Sequence, residues 1–372
     1  MAGIPFLRPK VISHVHYLDF LSQMEDSRLY SNYGPLNSLF EDRVVNEVFE
    51  HTGAVVTVNN ATSGLMLAIS QCKRPQARYA LMPSFTFAAT PLAALWCGLE
   101  PYFVDISQDD WCMNENLLDE LIESLGEQVA VVVPYATFGT YMDLTYYQKL
   151  HDAGIPVVVD AAASFGTIGE NGHFGKGFTG NIVFSFHATK AFGIGEGGLV
   201  YSGNQQSIQH IRQAGNFGFS NSRESIFQGM NSKISEFTAA VALATLDEYP
   251  QKKAARQQIY GLYLQHFTRL KMFEEGWVVQ ESEGSIPHQF FSVLCPEDEL
   301  NINIAEWLAS HQIESRTYFS PACHQHRLFS CYSSKTLQVT ERICERILSL
   351  PLWEEMKEDD VEMITERLRA KR

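Results

Sequence analysis

Two short apolar runs separated by a helix-like segment constrain the fold of this chain more than any other feature. The runs are VAVVVPY at 129–135 and IPVVVD at 155–160, and residues 144–152 between them have helical spacing. A strand this apolar is buried on both faces, which is typical of a parallel sheet covered by helices. The same alternation extends from about residue 35 to residue 202 without a Pro/Ser/Gly-rich linker. It predicts an α/β protein with parallel strands and crossover helices.

The pattern changes after Gly198, where longer helix-like stretches appear. These stretches lie near 204–214, 233–247 and 256–267. The last hundred residues mix short strands with two amphipathic helices. We therefore place a domain boundary near residue 248, which gives a large domain over 1–247 with an N-terminal arm and a smaller α+β domain over 248–372.

Charge and composition exclude several classes of protein. The formal net charge is −15 and no Lys/Arg run stands out, so neither nucleic acid nor an anionic membrane is expected as a partner. The N-terminus MAGIPFLRPK lacks a signal-peptide stretch, and no run of about 18 apolar residues occurs, which predicts a cytoplasmic protein. Seven scattered cysteines without a C-x-x-C pair indicate neither a disulfide framework nor a metal site.

Two polar residues next to apolar segments are candidates for chemistry, because open α/β sheets bind ligands outside the carboxyl ends of their strands. Asp160 closes IPVVVD, and Lys190 follows the apolar segment IVFSF. Asp160 is either a helix cap or solvated carboxylate, or the partner of a protonated ring nitrogen. Lys190 is either an ordinary surface lysine or an amine whose pKa burial lowers, so that it forms a Schiff base. The pair is more informative than either residue alone.

The segment NNATSG at 59–64 is a candidate phosphate-binding loop. It follows the strand-like run AVVTV and opens a helix at Thr62 and Ser63. Backbone N–H groups and hydroxyls at a helix start bind phosphate well, although a plain N-cap needs only one hydroxyl. Ser185, in FSF, is a further candidate hydroxyl.

Aromatic and glycine patterns nearby point to the kind of cofactor. Either Phe85 or Phe87 in PSFTFAAT would stack on a planar ring, and core packing is the alternative. Gly193, Gly195 and Gly198 match G-x-G-x-x-G, but a strand follows them instead of a helix. The pattern therefore lacks the context of a dinucleotide fingerprint, and a nicotinamide cofactor is not expected.

Taken in order, these segments resemble the sugar-nucleotide aminotransferases of the DegT/StrS family. These are fold-type I pyridoxal 5'-phosphate (PLP) enzymes related to aspartate aminotransferase, and the resemblance runs nearly end to end. It implies a large PLP-binding domain with a mostly parallel sheet flanked by helices, and a smaller α+β C-terminal domain. The matching blocks are NYGP (32–35), NNATSG (59–64), PSFTFAAT (83–90), EPYFVDI (100–106), VVDAAASFG (158–166), FSFHATK (184–190), GEGG (195–198), NSKISEFTAA (231–240) and LPLW (350–353).

The resemblance implies a role for each cofactor-binding residue. Lys190 matches the lysine that bonds to PLP and acts as general acid/base, and Asp160 matches the partner of the pyridine nitrogen. Phe87 occupies the ring-stacking position. Asn231 matches an asparagine that reaches the phosphate of the neighbouring subunit, which implies a homodimer with shared active sites. The implied phosphate ligands are Thr62, Ser63 and Ser185.

The resemblance also implies residues that bind the sugar, and the sequence differs from the family at one position near the cofactor. Segments that line the sugar side in relatives contain Tyr33, His187, Tyr318 and His324. The family commonly has Gln or His three residues after the aspartate, near the ring hydroxyl of the cofactor, whereas Ala163 stands here. Water or a residue from another segment fills that role, or the cofactor tautomer is controlled differently.

The expected reaction is amino transfer from L-glutamate to a keto sugar attached to a nucleotide. On family frequency the expected acceptor is dTDP-4-keto-6-deoxyglucose, in the biosynthesis of a surface polysaccharide such as lipopolysaccharide O-antigen. Related sugar dehydratases carry His where Lys190 stands, so the lysine favours amino transfer. An aminocyclitol (inosose) aminotransferase and a non-catalytic PLP-fold regulatory protein are the alternatives.

Overall fold

The computed structural model describes residues 3–332 and 336–371 and has α/β architecture. The strands are β1 (Ala54–Val58), β2 (Tyr79–Pro83), β3 (Glu100–Val104), β4 (Val129–Val132), β5 (Val158–Asp160), β6 (Ile168–Gly169), β7 (Gly172–His173), β8 (Asn181–Ser185), β9 (Gly198–Ser202), β10 (Val278–Val279), β11 (Phe291–Leu294) and β12 (Ile347–Leu350). The α-helices are α1 (Leu18–Ser27), α2 (Pro35–Arg43), α3 (Ala61–Cys72), α4 (Ala89–Trp96), α5 (Glu115–Leu125), α6 (Thr145–Asp152), α7 (Gln205–Ala214), α8 (Glu236–Arg269), α9 (Asn301–Ser310), α10 (Gln338–Arg346) and α11 (Glu358–Ala370).

One large, mostly parallel sheet organises the N-terminal two thirds of the chain. Its strand order is β3-β2-β4-β5-β8-β9-β1, where parallel bridges between Val132 and Val157 and between Tyr135 and Asp160 join its two hydrogen-bonded parts. Strand β9 runs antiparallel to both of its neighbours, β8 and β1. The expectation of a mostly parallel sheet is confirmed, and β9 is the exception among the described strands of this sheet.

Alternate residues along the central strands supply two separate cores. Val159, Phe184 and Leu199 point into one cluster with residues of α2 and α8. Their chain neighbours Val158 and Val183 point to the opposite face, into a cluster with residues of α3, α4 and α7. This two-sided burial explains why the strands are apolar without interruption, since neither face meets water.

Helix α8 continues where the sequence indicates two stretches. It passes through Pro250, which lies on the exposed side of the helix. A proline inside a helix removes one backbone hydrogen bond. Packing on both sides of the proline holds the helix: Leu243 and Tyr249 lie in the core under the large sheet, and Tyr263 and Phe267 lie in the core of the C-terminal region.

The C-terminal region is an antiparallel sheet of order β10-β11-β12 covered by helices. Helices α9 and α11 pack with the second half of α8 around Phe291, Leu348 and Leu350. The predicted boundary at 247/248 therefore falls inside α8 and not in a linker, and the division into two domains remains a prediction. In the residues that the structure describes, no helix combines the length and apolar character that a membrane span requires.

Candidate functional site

Three strand ends meet at one edge of the large sheet and form the floor of the candidate site. Strand β5 ends at Asp160 and strand β8 ends at Ser185. Gly198, the first residue of β9, pairs with Val58 at the end of β1 on one side and with Ser185 on the other. This is the carboxyl edge of the parallel strands, where open α/β sheets bind their ligands.

The loop after β1 presents the N-terminus of α3 to this edge. The Asn60 side chain caps the helix by accepting a 2.9 Å hydrogen bond from the Ser63 N–H. The Ser63 hydroxyl lies 2.5 Å from Asn59 Oδ1, whereas the Thr62 hydroxyl has no protein partner within the described ranges. A methyl group on Gly198 would lie 2.8 Å from the Phe184 carbonyl oxygen and 3.0 Å from the Ala61 nitrogen, so a side chain at this position would displace β9 from the helix end. The arrangement suits an anion at the helix start.

Asp160 is a buried carboxylate with two hydrogen-bond donors. Its side chain is 3% exposed, accepts a 2.6 Å hydrogen bond from the Thr90 hydroxyl and a 3.2 Å hydrogen bond from the Ala162 N–H. Burial raises the pKa of this carboxyl, and the two hydrogen bonds and the charge of Lys190 oppose that shift. A buried carboxylate in this position has capacity for a further N–H donor.

The Lys190 side chain lies in the turn between β8 and β9 and is partly buried. Its Nζ atom donates a 3.1 Å hydrogen bond to Oε1 of Gln289. Burial lowers the pKa of the amine to about 8, against a smaller opposing effect of Asp160. The charges of Lys190 and Asp160 thus affect each other's pKa. Within residues 3–332 and 336–371, neither side chain forms an ion pair.

Phe87 is the exposed aromatic residue of this region. Its side chain is 60% exposed, whereas Phe85 is fully buried against Trp111 and Phe138. Of the two phenylalanines that the sequence offered for ring stacking, Phe87 is therefore the accessible one and Phe85 is a core residue. The Thr90 N–H donates to the Phe87 carbonyl, and the Thr90 hydroxyl donates to Asp160, so Thr90 links the backbone of Phe87 to the buried carboxylate.

The two histidines expected on the sugar side lie in different surroundings. His187 is exposed, with Nδ1 2.9 Å from the Thr189 hydroxyl and Nε2 3.7 Å from Glu196. His324 is buried and fully paired, with Nδ1 2.6 Å from the Ser84 hydroxyl and Nε2 3.1 Å from Glu341. In this conformation His324 supports the loop that carries Ser84 and Phe87, and it has no free ring nitrogen for a sugar.

The two tyrosines expected there also differ in their contacts. The Tyr33 hydroxyl donates a 3.3 Å hydrogen bond to the Arg212 carbonyl, and the Arg212 guanidinium lies over its ring. Burial raises the pKa of Tyr33 well above its ordinary value. Tyr318 is half-buried beside the rings of Phe6 and Phe290. These contacts place Tyr33 against α7 and Tyr318 among the aromatic residues that adjoin the C-terminal sheet.

Asn231 is exposed and lies next to the candidate phosphate loop of its own chain. It forms a backbone bridge with Asn216, and the carbonyl of the next residue, Ser232, accepts a hydrogen bond from the Asn59 N–H. Its side chain has no protein partner in the described part of the chain. This exposure is compatible with a contact across a subunit interface, which stays a prediction.

Two residues of the site were not foreseen from the sequence. Thr90 lies inside the block PSFTFAAT but carries no signal of its own, and Gln289 lies 99 residues from the lysine it contacts. A glutamine in the apolar segment PHQFFSV was the available signal for Gln289, because buried glutamines are uncommon. Ala163 is buried and offers only a methyl group, so the structure adds no side-chain partner for the cofactor hydroxyl at that position.

Taken together, these groups fit PLP by their chemistry. Asp160 offers an acceptor for a pyridinium N–H, and Lys190 offers an amine for the aldehyde. Phe87 offers a ring face for stacking. Thr62 and Ser185, at the start of α3 and the end of β8, offer hydroxyls for the phosphate.

Sequence comparison identifies one family and several relatives. A sequence model described as the DegT/DnrJ/EryC1/StrS aminotransferase family matches residues 15–369. Protein Rv3402c of Mycobacterium tuberculosis (strain ATCC 25618 / H37Rv) is 32% identical over 366 residues, which cover 96% of this chain and 87% of that protein. The dTDP-4-amino-4,6-dideoxy-D-glucose transaminase of Escherichia coli is 26% identical, and the alignment covers 99% of this chain and 98% of that enzyme.

Structural comparison gives the same result. A protein from Bacillus cereus ATCC 10987 that carries the designation PLP-dependent aminotransferase matches with a TM-score of 0.97 and 50% identity, over 98% of this chain and 99% of that chain. The structure of DesI in the presence of its TDP-sugar product matches with a TM-score of 0.89 and 30% identity, over 100% of this chain and 93% of that chain. These matches confirm the predicted fold class.

Proposed function

Because this chain belongs to the DegT/DnrJ/EryC1/StrS aminotransferase family and is a PLP-dependent enzyme, we propose that it transfers an amino group from L-glutamate to a nucleotide-linked keto sugar. The products are an amino-deoxy sugar nucleotide and 2-oxoglutarate. One observation carries the proposal. A partly buried lysine amine and a buried carboxylate sit at the same sheet edge, within electrostatic reach of each other but not paired.

The chemistry of amino transfer requires a group that accepts the nitrogen and a base that moves a proton. PLP supplies an aldehyde for the nitrogen and a protonated ring that stabilises negative charge on the neighbouring carbon. In our proposal Lys190 holds and moves the proton. Its pKa of about 8 keeps a useful fraction of the amine neutral near pH 7.5, and a positioned base of matched pKa contributes roughly 10²–10⁴ in rate.

The remaining residues orient the cofactor in this proposal. Asp160 would accept the N–H of the pyridine ring and so favour its protonated form, and Phe87 would offer its ring for stacking. The phosphate ligands that we propose are Thr62, Ser63, Ser185 and, from a second copy of the chain, Asn231. The Ser63 hydroxyl must turn away from Asn59 to take part, because it donates to that side chain in this structure. The proposed assembly is a homodimer with shared active sites.

The acceptor that we propose is dTDP-4-keto-6-deoxyglucose. The name of the Escherichia coli relative and the TDP-sugar product of DesI support a thymidine-diphosphate sugar. The sugar-side residues are proposed to be Tyr33, His187, Tyr318 and His324. His187 is the exposed histidine of this set, whereas His324 acts through the Ser84 loop that it supports. The proposed setting is the cytoplasm and the synthesis of a surface polysaccharide.

Product analysis tests this proposal directly. The purified protein is incubated with PLP, L-glutamate and dTDP-4-keto-6-deoxyglucose made in place by a 4,6-dehydratase, and the mixture is followed by NMR. We expect 2-oxoglutarate and a 4-amino sugar nucleotide in equal amounts, and neither with Lys190→Ala. Release of 2-oxoglutarate with an inosose instead of the nucleotide sugar would favour the aminocyclitol alternative. No release with any keto acceptor would contradict amino transfer.

A further inference from the structure

Gln289 comes from the C-terminal region of the chain and reaches the lysine of the site. It precedes β11 and is 8% exposed, and its Oε1 atom accepts the 3.1 Å hydrogen bond from Lys190 Nζ. No other side-chain hydrogen bond of Lys190 occurs among residues 3–332 and 336–371. A residue from outside the large sheet is therefore the direct partner of this amine.

The backbone that carries Gln289 is held in place by a buried guanidinium. Arg256, on α8, is 3% exposed and donates from Nη1 to the carbonyls of His288 at 3.0 Å and of Gln289 at 3.3 Å. Its Nε atom donates to Glu354 at 2.9 Å. The His288 ring also stacks on Tyr260, with ring centres 3.6 Å apart. These contacts hold the backbone of the segment, so the Gln289 side chain extends toward Lys190 from a fixed point.

An amide and a carboxylate at this position would have different effects on the protonation of Lys190. An amide oxygen accepts one N–H of the lysine and leaves the nitrogen lone pair free, which a nucleophile or base requires. A carboxylate at the same distance would hold the lysine as an ammonium ion, because a nearby opposite charge favours the charged form. The neutral acceptor therefore orients the amine without blocking its chemistry.

We propose that Gln289 is a positioning residue that orients the free Lys190 amine and contributes to its protonation equilibrium. Burial and the charge of Asp160 also act on this amine. The inference rests on the proposed role of Lys190 and deepens it. Gln289 acts in those states of the enzyme in which the lysine nitrogen is not bonded to the cofactor.

Capture of PLP by the cofactor-free protein as a function of pH tests this inference. The rate is followed by absorbance, and borohydride trapping with peptide mapping identifies the lysine that reacts. The variants are Gln289→Glu and Gln289→Leu. Ser292→Ala is the matched control, since Ser292 lies on the adjoining strand, is buried, and has a hydroxyl with no partner in the described part of the chain.

The variants are expected to move the midpoint of the pH profile in opposite directions. Gln289→Glu places a charge beside the amine and should raise the midpoint by roughly one unit or more. Gln289→Leu removes the acceptor and should lower the midpoint by roughly half a unit. Ser292→Ala should match the unmodified protein. Equal midpoints in all four proteins, or shifts of both Gln289 variants in one direction, would overturn the inference. Capture of PLP at a lysine other than Lys190 would instead contradict the proposed function.

Discussion

The Thr90 hydroxyl lies 2.6 Å from Oδ2 of Asp160, and both side chains are buried. The bond joins the end of β5 to the first turn of α4, and the loop before α4 carries the exposed Phe87. A hydrogen bond to a buried carboxylate stabilises its ionised form. Thr90 therefore opposes the rise in the pKa of Asp160 that burial causes.

Replacing Thr90 by valine should weaken PLP binding. Valine keeps the shape but removes the donor, so the pKa of Asp160 should rise further and fewer molecules should offer an ionised partner to the ring nitrogen. A hydrogen bond to a charged group is worth about 1.5–3 kcal/mol, which corresponds to roughly a tenfold or larger loss of affinity. The measurement is a PLP titration at several pH values. The loss should shrink as the pH rises and Asp160 ionises.

Thr90→Ser is the control for this substitution, because serine retains the hydroxyl. Its PLP affinity should stay within a few-fold of the unmodified protein, in line with the retained hydrogen bond. Equal losses for serine and valine would show that packing, and not the hydrogen bond, accounts for the effect.

The capture of PLP by the cofactor-free protein should depend on pH through Lys190. The amine attacks only when neutral, and burial lowers its pKa from 10.5 to about 8. The rate should rise with pH and level off above a midpoint near that value. A midpoint near 10.5, the value of an ordinary lysine, would contradict the burial of the amine.

The same pKa shift predicts how stability depends on pH. The folded protein releases the proton of Lys190 more readily than the unfolded chain, so burial of the ammonium ion costs stability fully below about pH 8. The cost should diminish as the pH rises from about 8 to 10.5. Urea unfolding at several pH values gives the free energy of unfolding of the cofactor-free protein and of Lys190→Met. Between about pH 8 and 10.5 this free energy should rise more steeply with pH in the unmodified protein, because the methionine variant has no amine to titrate.

At a PLP concentration at which neither Lys190→Ala nor Asn231→Ala alone is active, mixing the two variants should restore activity if the active sites are shared between subunits. A dimer of one Lys190→Ala chain and one Asn231→Ala chain would contain one site with both defects and one intact site. After subunit exchange of an equimolar mixture, activity should approach about one quarter of the unmodified level. Activity no higher than the average of the two separate variants would mean that Asn231 serves the phosphate loop of its own chain, which it also adjoins.

Local patterns were sufficient to predict much of the large domain. The run IPVVVD predicts a strand buried on both faces that ends at Asp160, and the structure has β5 there. The start of α3 after Asn60 follows from small polar residues at a strand end. An apolar run and a helix cap each involve only a few consecutive residues, so both can be recognised in the sequence.

Features that depend on distant parts of the chain were not predictable in this way. Strand β9 is as apolar as its neighbours, and its antiparallel direction depends on how the chain returns from β8. Helix α8 continues through Pro250 because two separate cores hold its halves. The contact of Lys190 with Gln289 spans 99 residues, and that of His324 with Ser84 spans 240. No local spacing encodes such pairs.

Identification of the lysine that bonds to PLP tests the central claim most directly. The purified protein is incubated with PLP and reduced with borohydride, and its peptides are mapped by mass spectrometry. We expect the cofactor on the peptide that contains Lys190, and no adduct on any lysine in Lys190→Ala. An adduct on another lysine, or PLP bound without any reducible bond to the protein, would contradict the assignment of Lys190.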